Sequence, residues 1–188
     1  MPKLIVFNHS SVDGYIADAK GNMSWAKPSS DDTEWNAFVE QNTSGGGMLL
    51  FGRVTYDLMR SYWPTPLAAQ QMPAIAARMN NFPKVVFSRT LETASWQNTT
   101  LVKGDIAGAV SKMKHESSLG MAILGSASIA AQLAEAHLID EFQIVIDPVA
   151  LGAGKSMFQG ISGPMRLRLL NSRTFKNGKV LLVYAPAD

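Results

Sequence analysis

Met48–Met59 reads MLLFGRVTYDLM, and the fold follows from how this stretch is read. An apolar run, Met48–Phe51, stops at Gly52. A helix is predicted to begin at once and run to about Ser61, with Val54 and Leu58 one turn apart on its inner face. Strand, glycine, basic residue, hydroxyl residue, helix: this order puts Gly52, Arg53 and Thr55 at the carboxyl end of a buried strand. Open α/β sheets bind their ligands at such ends. A glycine lets a ligand approach the backbone. A helix start offers free N–H groups to an anion, and an arginine adds a charged fork suited to phosphate.

Outward from this turn the chain alternates. Lys3–His9 reads as a buried first strand, followed by a turn at Asp13-Gly14 and a resumed apolar pattern at Tyr15–Ala17. Ser30 or Asp31 is placed to cap a helix to about Asn42, with Trp35, Phe38 and Val39 inward. The glycines of Thr43–Gly47 precede a strand and form a linker rather than a phosphate loop. Ala68–Asn80 is an alanine-rich helix that Pro73 can interrupt. Lys84–Phe87 is a short strand, Leu101-Val102 another, and Asp105–His115 an amphipathic helix with Ile106, Val110 and Met113 inward. Met121–Leu124 is a strand, Ile129–Ala136 a helix, and Phe142–Ile146 a strand closed by Asp147-Pro148. Gly152–Gly163 is a glycine-rich loop. Arg166–Phe175 and Lys179–Tyr184, joined by Asn177-Gly178, form a hairpin. The expectation is an α/β fold: a mixed, mostly parallel sheet with helices on both faces and a C-terminal antiparallel hairpin. The 188 residues suit one domain, or at most two small ones, and no linker divides them.

Composition narrows the function. A net charge of +2 without blocks of like charge gives no reason to expect nucleic acid. The absence of cysteine excludes disulfides and thiolate metal sites, and fits a cytoplasmic protein. The N-terminal apolar run is too short for a signal peptide or membrane span. Sequons at Asn8, Asn42 and Asn98 are read as chance. His9, His115 and His137 lack metal-ligand spacing; His115 and His137 are expected on helix surfaces, and His9 at a strand end where it can line a pocket. Gly152–Ser156, GAGKS, resembles half of a nucleotide-triphosphate loop, but Val149 stands where a glycine is required and no helix pattern follows. It is read as a turn between strands near a pocket.

Three strand ends share one chemistry. After Phe51 come Gly52, Arg53 and Thr55; after Phe87 come Ser88 and Arg89; after Leu124 come Gly125, Ser126, Ala127 and Ser128. Each alone is an ordinary helix start. If the three strands are neighbours, the ends form one groove with two arginines for phosphate and helix starts for a pyrophosphate. That favours a dinucleotide carrying an extra phosphate.

GRVTY at Gly52–Tyr56, FSRT at Phe87–Thr90 and ILGSASIAAQLAEAHLIDEF at Ile123–Phe142 resemble the dihydrofolate reductase superfamily. SVDGYIA at Ser11–Ala17 and DPVALGAGKSMF at Asp147–Phe158 point to the branch built like the C-terminal reductase domain of the bifunctional riboflavin-biosynthesis protein. The motifs occur in family order over nearly the whole chain. The resemblance implies residues 1–188 as a single domain of that kind, a dihydrofolate-reductase-like fold, an NADPH-dependent reductase of a small molecule, and a homodimer. It implies that Gly52, Arg53 and Thr55 bind the cofactor's phosphates, that Ser88 and Arg89 sit at the 2′-phosphate, that Gly125 to Ile129 lie under the pyrophosphate, and that Ile16 and Ala17 meet the nicotinamide. Gly125-Ser126 stands in place of the family's glycine pair, and no companion deaminase domain is expected.

A carboxylate is expected to orient the substrate or assist protonation. Asp13 matches the family's Asp-Gly turn; Asp32, three residues before Trp35, resembles the pterin-binding acid of true dihydrofolate reductases. Each also has a plain structural role, Asp13 in a turn and Asp32 at a helix start. Substrate-binding candidates are Asn8, Asp13, Trp25 and Asp32; Trp25 serves equally as a lid over the core. The resemblance implies a pyrimidine or pteridine substrate, with 5-amino-6-(5-phosphoribosylamino)uracil reduction as the type reaction. Dihydrofolate reduction and NADPH binding without chemistry are the alternatives.

Overall fold

The computed structural model describes residues 1–26, 32–44 and 47–187. An eight-stranded sheet carries the chain. Its strands are β1 (Leu4–Ser11), β3 (Met48–Gly52), β4 (Lys84–Phe87), β5 (Thr99–Val102), β6 (Met121–Leu124), β7 (Glu141–Asp147), β9 (Leu167–Thr174) and β10 (Val180–Pro186). Their spatial order is β5-β4-β3-β6-β1-β7-β10-β9. The first six run parallel; β10 is antiparallel to β7, and β9 to β10. A separate pair joins β2 (Tyr15–Asp18) to β8 (Gly154–Ser156). The fold is thus the mixed, mostly parallel, dihydrofolate-reductase-like sheet that the sequence leads one to expect.

Both faces are covered, which is why the central strands are apolar throughout. On one face Leu4, Val6, Leu50, Ile123 and Phe142 meet α5 (Ile106–Glu116) and α6 (Ala127–Glu135) through Val110, Ile129 and Leu133. On the other, Phe51, Val86 and Trp96 pack with α2 (Arg53–Tyr62) and α4 (Pro73–Asn81), while Trp35 of α1 (Thr33–Ser44) packs on Val145, Phe175 and Leu181.

Several helix limits have local causes. Pro73 splits the expected Ala68–Asn80 helix into α3 (Pro66–Gln71) and α4, because proline suits a first turn and cannot continue an existing one. Thr65 and Asp105 accept hydrogen bonds from the amides of Ala68 and Gly108 and so cap α3 and α5. Lys84 closes α4, its Nζ donating to the carbonyls of Met79, Asn80 and Phe82 at 2.7–2.9 Å. The expected caps Ser30 and Asp31 lie outside the described residues, and it is Asp32 whose carboxylate accepts the amide of Trp35 at 3.0 Å. The loop expected over Gly152–Gly163 contains β8, the strand expected at Leu101 begins at Thr99, and α6 begins two residues before Ile129. His137 lies beyond α6 with φ of 54°, not on a helix.

The inner face assigned to α2 is corrected. Val54 and Leu58 are 73% and 54% exposed. The helix docks instead through Tyr56, whose hydroxyl accepts the amide of Trp96 at 2.8 Å, and through Met59. Four-residue spacing identifies a face, but not which neighbour it meets.

Candidate active site

Strand order creates the site. From β3 the chain moves outward to β4 and β5, then returns to place β6 between β3 and β1, and continues on the far side of β1 to β7. The connections diverge between β3 and β6, and a parallel sheet has its crevice at the carboxyl ends of the strands flanking such a point. A cleft of about 1180 Å³ includes these carboxyl ends and runs along the sheet toward Lys3, Met48 and Gly120 at the amino ends. The three strand ends noted in the sequence belong to adjacent strands, β4, β3 and β6. Gly52, Arg53, Thr55, Ser88 and Arg89 all line this cleft, as do Gly125 to Ile129. Ile16 and Ala17, held by β2, line it too.

Two of these turns are tied back to back. The amide of Gly52 donates to Ser126 Oγ at 2.9 Å, and the amide of Ser126 donates to Thr55 Oγ1 at 3.2 Å. Gly125 and Ser126 take φ of 62° and 54°. A Cβ on Gly125 would lie 3.1 Å from the Thr55 methyl, so glycine meets both the conformation and the close approach. Ser126 turns its hydroxyl inward to Gly52. Gly52 is the N-cap of α2 and makes no side-chain cap, so nothing of that kind occupies the helix start. Beyond β4, Ser88 Oγ accepts from the amides of Thr90 and Leu91 at 3.3 and 3.0 Å, shaping the turn that carries Arg89. Arg89 is exposed and has no acidic partner among the described residues; Arg53 lies 3.8 Å from Asp57.

The carboxylates and Trp25 stand apart. Asp13 accepts from Ser11 Oγ at 2.6 Å and from the amides of Leu151 and Gly152 at 2.7–3.1 Å. These bonds, the Ser11 hydroxyl first, hold its carboxyl down to about 2. Asp32 caps α1 and accepts from Asn177 Nδ2. Trp25 Nε1 donates to the carbonyl of Asn22. None of the three is among the described residues lining the cleft, whereas Met23, Ala26 and Asn8 are.

What the cleft holds instead is His9. Its Nδ1 lies 2.7 Å from Oδ2 of Asp147, which is 2% exposed and is also bonded by Lys179 Nζ. Trp35 meets the His9 ring edge-on and lies 5.3 Å from Lys179 Nζ. Burial first, then the Lys179 charge, holds the imidazole at about 4, so it is neutral at pH 7. A carboxylate at Nδ1 fixes the proton there and leaves Nε2 as an acceptor. Sequence reading placed His9 at a pocket but could not pair it with Asp147, because β1 and β7 lie far apart along the chain. Lys155, in the rejected phosphate-loop motif, also lines the cleft, from β8.

A model of the RibD C-terminal domain family matches residues 2–181. The chain belongs to that family. Among its relatives are two uncharacterized Bacillus subtilis proteins, YyaP (29% identical; 93% of this chain, 89% of the relative) and YwjB (23%; 92% of each). A Shewanella sp. PV-4 protein assigned to riboflavin biosynthesis has the same fold (TM-score 0.76, 21% identical, 99% of both chains). So does a diaminohydroxyphosphoribosylaminopyrimidine deaminase/5-amino-6-(5-phosphoribosylamino)uracil reductase from Thermotoga maritima (TM-score 0.70, 15% identical). The match covers 99% of this chain and 57% of the Thermotoga protein. This RibD C-terminal family member therefore shares its fold with part of that longer chain.

Proposed function

We propose that this protein is an NADPH-dependent reductase of a small nitrogen heterocycle of the oxo-pyrimidine or pteridine type. The observation that carries the reading is the meeting of three helix or turn starts, with two accessible arginines, at one crevice. Three observations support a phosphate-bearing cofactor: Gly125 lets its turn close against Thr55, the start of α2 carries no side-chain cap, and Arg89 has no carboxylate partner among the described residues. Arg53 and the α2 start would hold phosphates, Ser88 and Arg89 the 2′-phosphate, and the Gly125–Ile129 turn the pyrophosphate. Ile16 and Ala17 would border the nicotinamide, which supplies a hydride when bound. The protein's share is to exclude water and orient the substrate: Val54 and Leu58 give the cleft apolar wall, and His9, fixed as an acceptor, receives an N–H of the heterocycle.

NADPH fluorescence titration tests the cofactor half, and NADPH consumption with aminouracils, pterins and dihydrofolate tests the substrate half. Absence of NADPH binding ends the reading. A second reading, binding without turnover, draws on one observation: both candidate carboxylates, Asp13 and Asp32, are committed to backbone and capping bonds away from the cleft. NADPH binding with no turnover on any of these compounds would favour it. The same commitment of Asp32 counts against dihydrofolate as substrate.

A further inference from the structure

We propose that Asn8 selects the ligand at the inner end of the cleft, and that it recognises an amide edge, an N–H and a C=O side by side. This rests on the reductase reading above and adds to it the chemistry that the pocket demands. Asn8 is 2% exposed, yet neither Nδ2 nor Oδ1 has a hydrogen-bond partner among the described residues. The positions on its face of β1 are Leu4 and Val6, both fully buried, and its partner in β7 is Ile144, packed on the same core. An aliphatic side chain would suit the position structurally, so the carboxamide has no task in the fold itself.

Its place explains what the task is. The last pair between β1 and β6 is Phe7 with Leu124, and β6 then turns at Gly125. Asn8 thus lies one residue past the point where the two strands part, and it lines the cleft that opens there. Ile16 and Ile129, which belong to the same core cluster, also line that cleft. In so apolar a place a ligand must satisfy both ends of the carboxamide. A carboxylate or phosphate offers only acceptors and leaves Oδ1 unpaired; an ammonium leaves Nδ2 unpaired. A second amide completes both bonds. Two ligands bring such an edge: the carboxamide of a nicotinamide, and the lactam of an oxo-pyrimidine or pteridine.

The test compares wild type with Asn8→Leu and Asn8→Asp by calorimetric titration and thermal melting. The probes are NADPH, adenosine 2′,5′-bisphosphate (which has no nicotinamide), and 5,6-diaminouracil, uracil and pterin added to the NADP⁺ complex. Asn8→Leu is expected to melt no lower than wild type while losing about ten- to a hundredfold in affinity for one ligand. If the carboxamide is the partner, NADPH weakens and adenosine bisphosphate does not. If a lactam is the partner, NADPH is unchanged and the ring compound is lost. Asn8→Asp weakens the same ligand, lacking the donor, and stands in if the leucine variant does not fold. Unchanged NADPH binding with no lactam weakened, whether the lactams bind both proteins or neither, overturns the proposal. Failure of the wild type to bind either adenine nucleotide ends the reductase reading itself, so the two failures are distinguishable.

Discussion

Arg89 and His9 are the residues whose environments make the sharpest demands. Arg89 lies exposed in a turn shaped by Ser88, without an acidic partner among the described residues, so its removal disturbs no ion pair. Arg89→Ala should weaken NADPH by about ten- to a hundredfold, the value of a charge-assisted phosphate contact, and change NADH by less than about threefold. Equal losses for both nucleotides would remove the 2′-phosphate assignment. For His9 the sign follows from its depressed pKa. The unfolded imidazole takes a proton near 6.5 and the folded one only near 4, so stability is complete above 6.5 and is lost as pH falls toward 4. The loss amounts to roughly 3 kcal/mol. Denaturant unfolding at pH 7 and 4.5 should show that the gap between wild type and His9→Gln narrows at the lower pH; a constant gap would mean the histidine is already solvated.

At the scale of elements, the tie between the β3–α2 and β6–α6 turns keeps the crevice in shape. Gly125→Ala forces a side chain into a left-handed position and against Thr55, and is expected to cost about 1–3 kcal/mol in thermal or denaturant unfolding. Adding Thr55→Ser should return part of that loss, since it removes the methyl clash while keeping the hydroxyl that accepts the Ser126 amide, but not the backbone strain; no recovery would show the strain to be the main effect. Lys84 links the end of α4 to β4, its Nζ also 4.5 Å from the centre of the Trp96 ring. Lys84→Met leaves three helix-end carbonyls without that donor and should destabilise by about 1–3 kcal/mol with NADPH affinity intact. Most of these elements were legible in the sequence, because apolar periodicity and breakers such as Pro73 act locally. The buried face of α2 was not, because Val54 and Leu58 have the spacing of a core face and only the docking of Tyr56 beneath Trp96 turns them to the cleft.

For the molecule as a whole, the exposed edge is β9, where Leu169 and Leu170 are 52% and 44% exposed and a register shift interrupts pairing with β10. An apolar edge strand invites pairing with another chain. The homodimer implied by the family resemblance is therefore expected to bury β9: sedimentation should give twice the chain mass, and Leu169→Lys should shift it to the monomer with the fold retained. A wild-type monomer at micromolar concentration would set that expectation aside. By itself the sequence determined the alternation of strands and helices and the three strand ends that carry glycine, hydroxyl and arginine residues, since burial period, glycine geometry and helix starts are encoded within a few residues. Only the tertiary structure decided that β4, β3 and β6 are neighbours, that Asp13 also accepts from the amides of Leu151 and Gly152 and Asp32 from Asn177, and that His9 meets Asp147 while the Asn8 side chain has no hydrogen-bond partner among the described residues. Those outcomes depend on strand order and register, which bring together residues far apart along the chain, as β3 with β4 and His9 with Asp147, and leave no local trace.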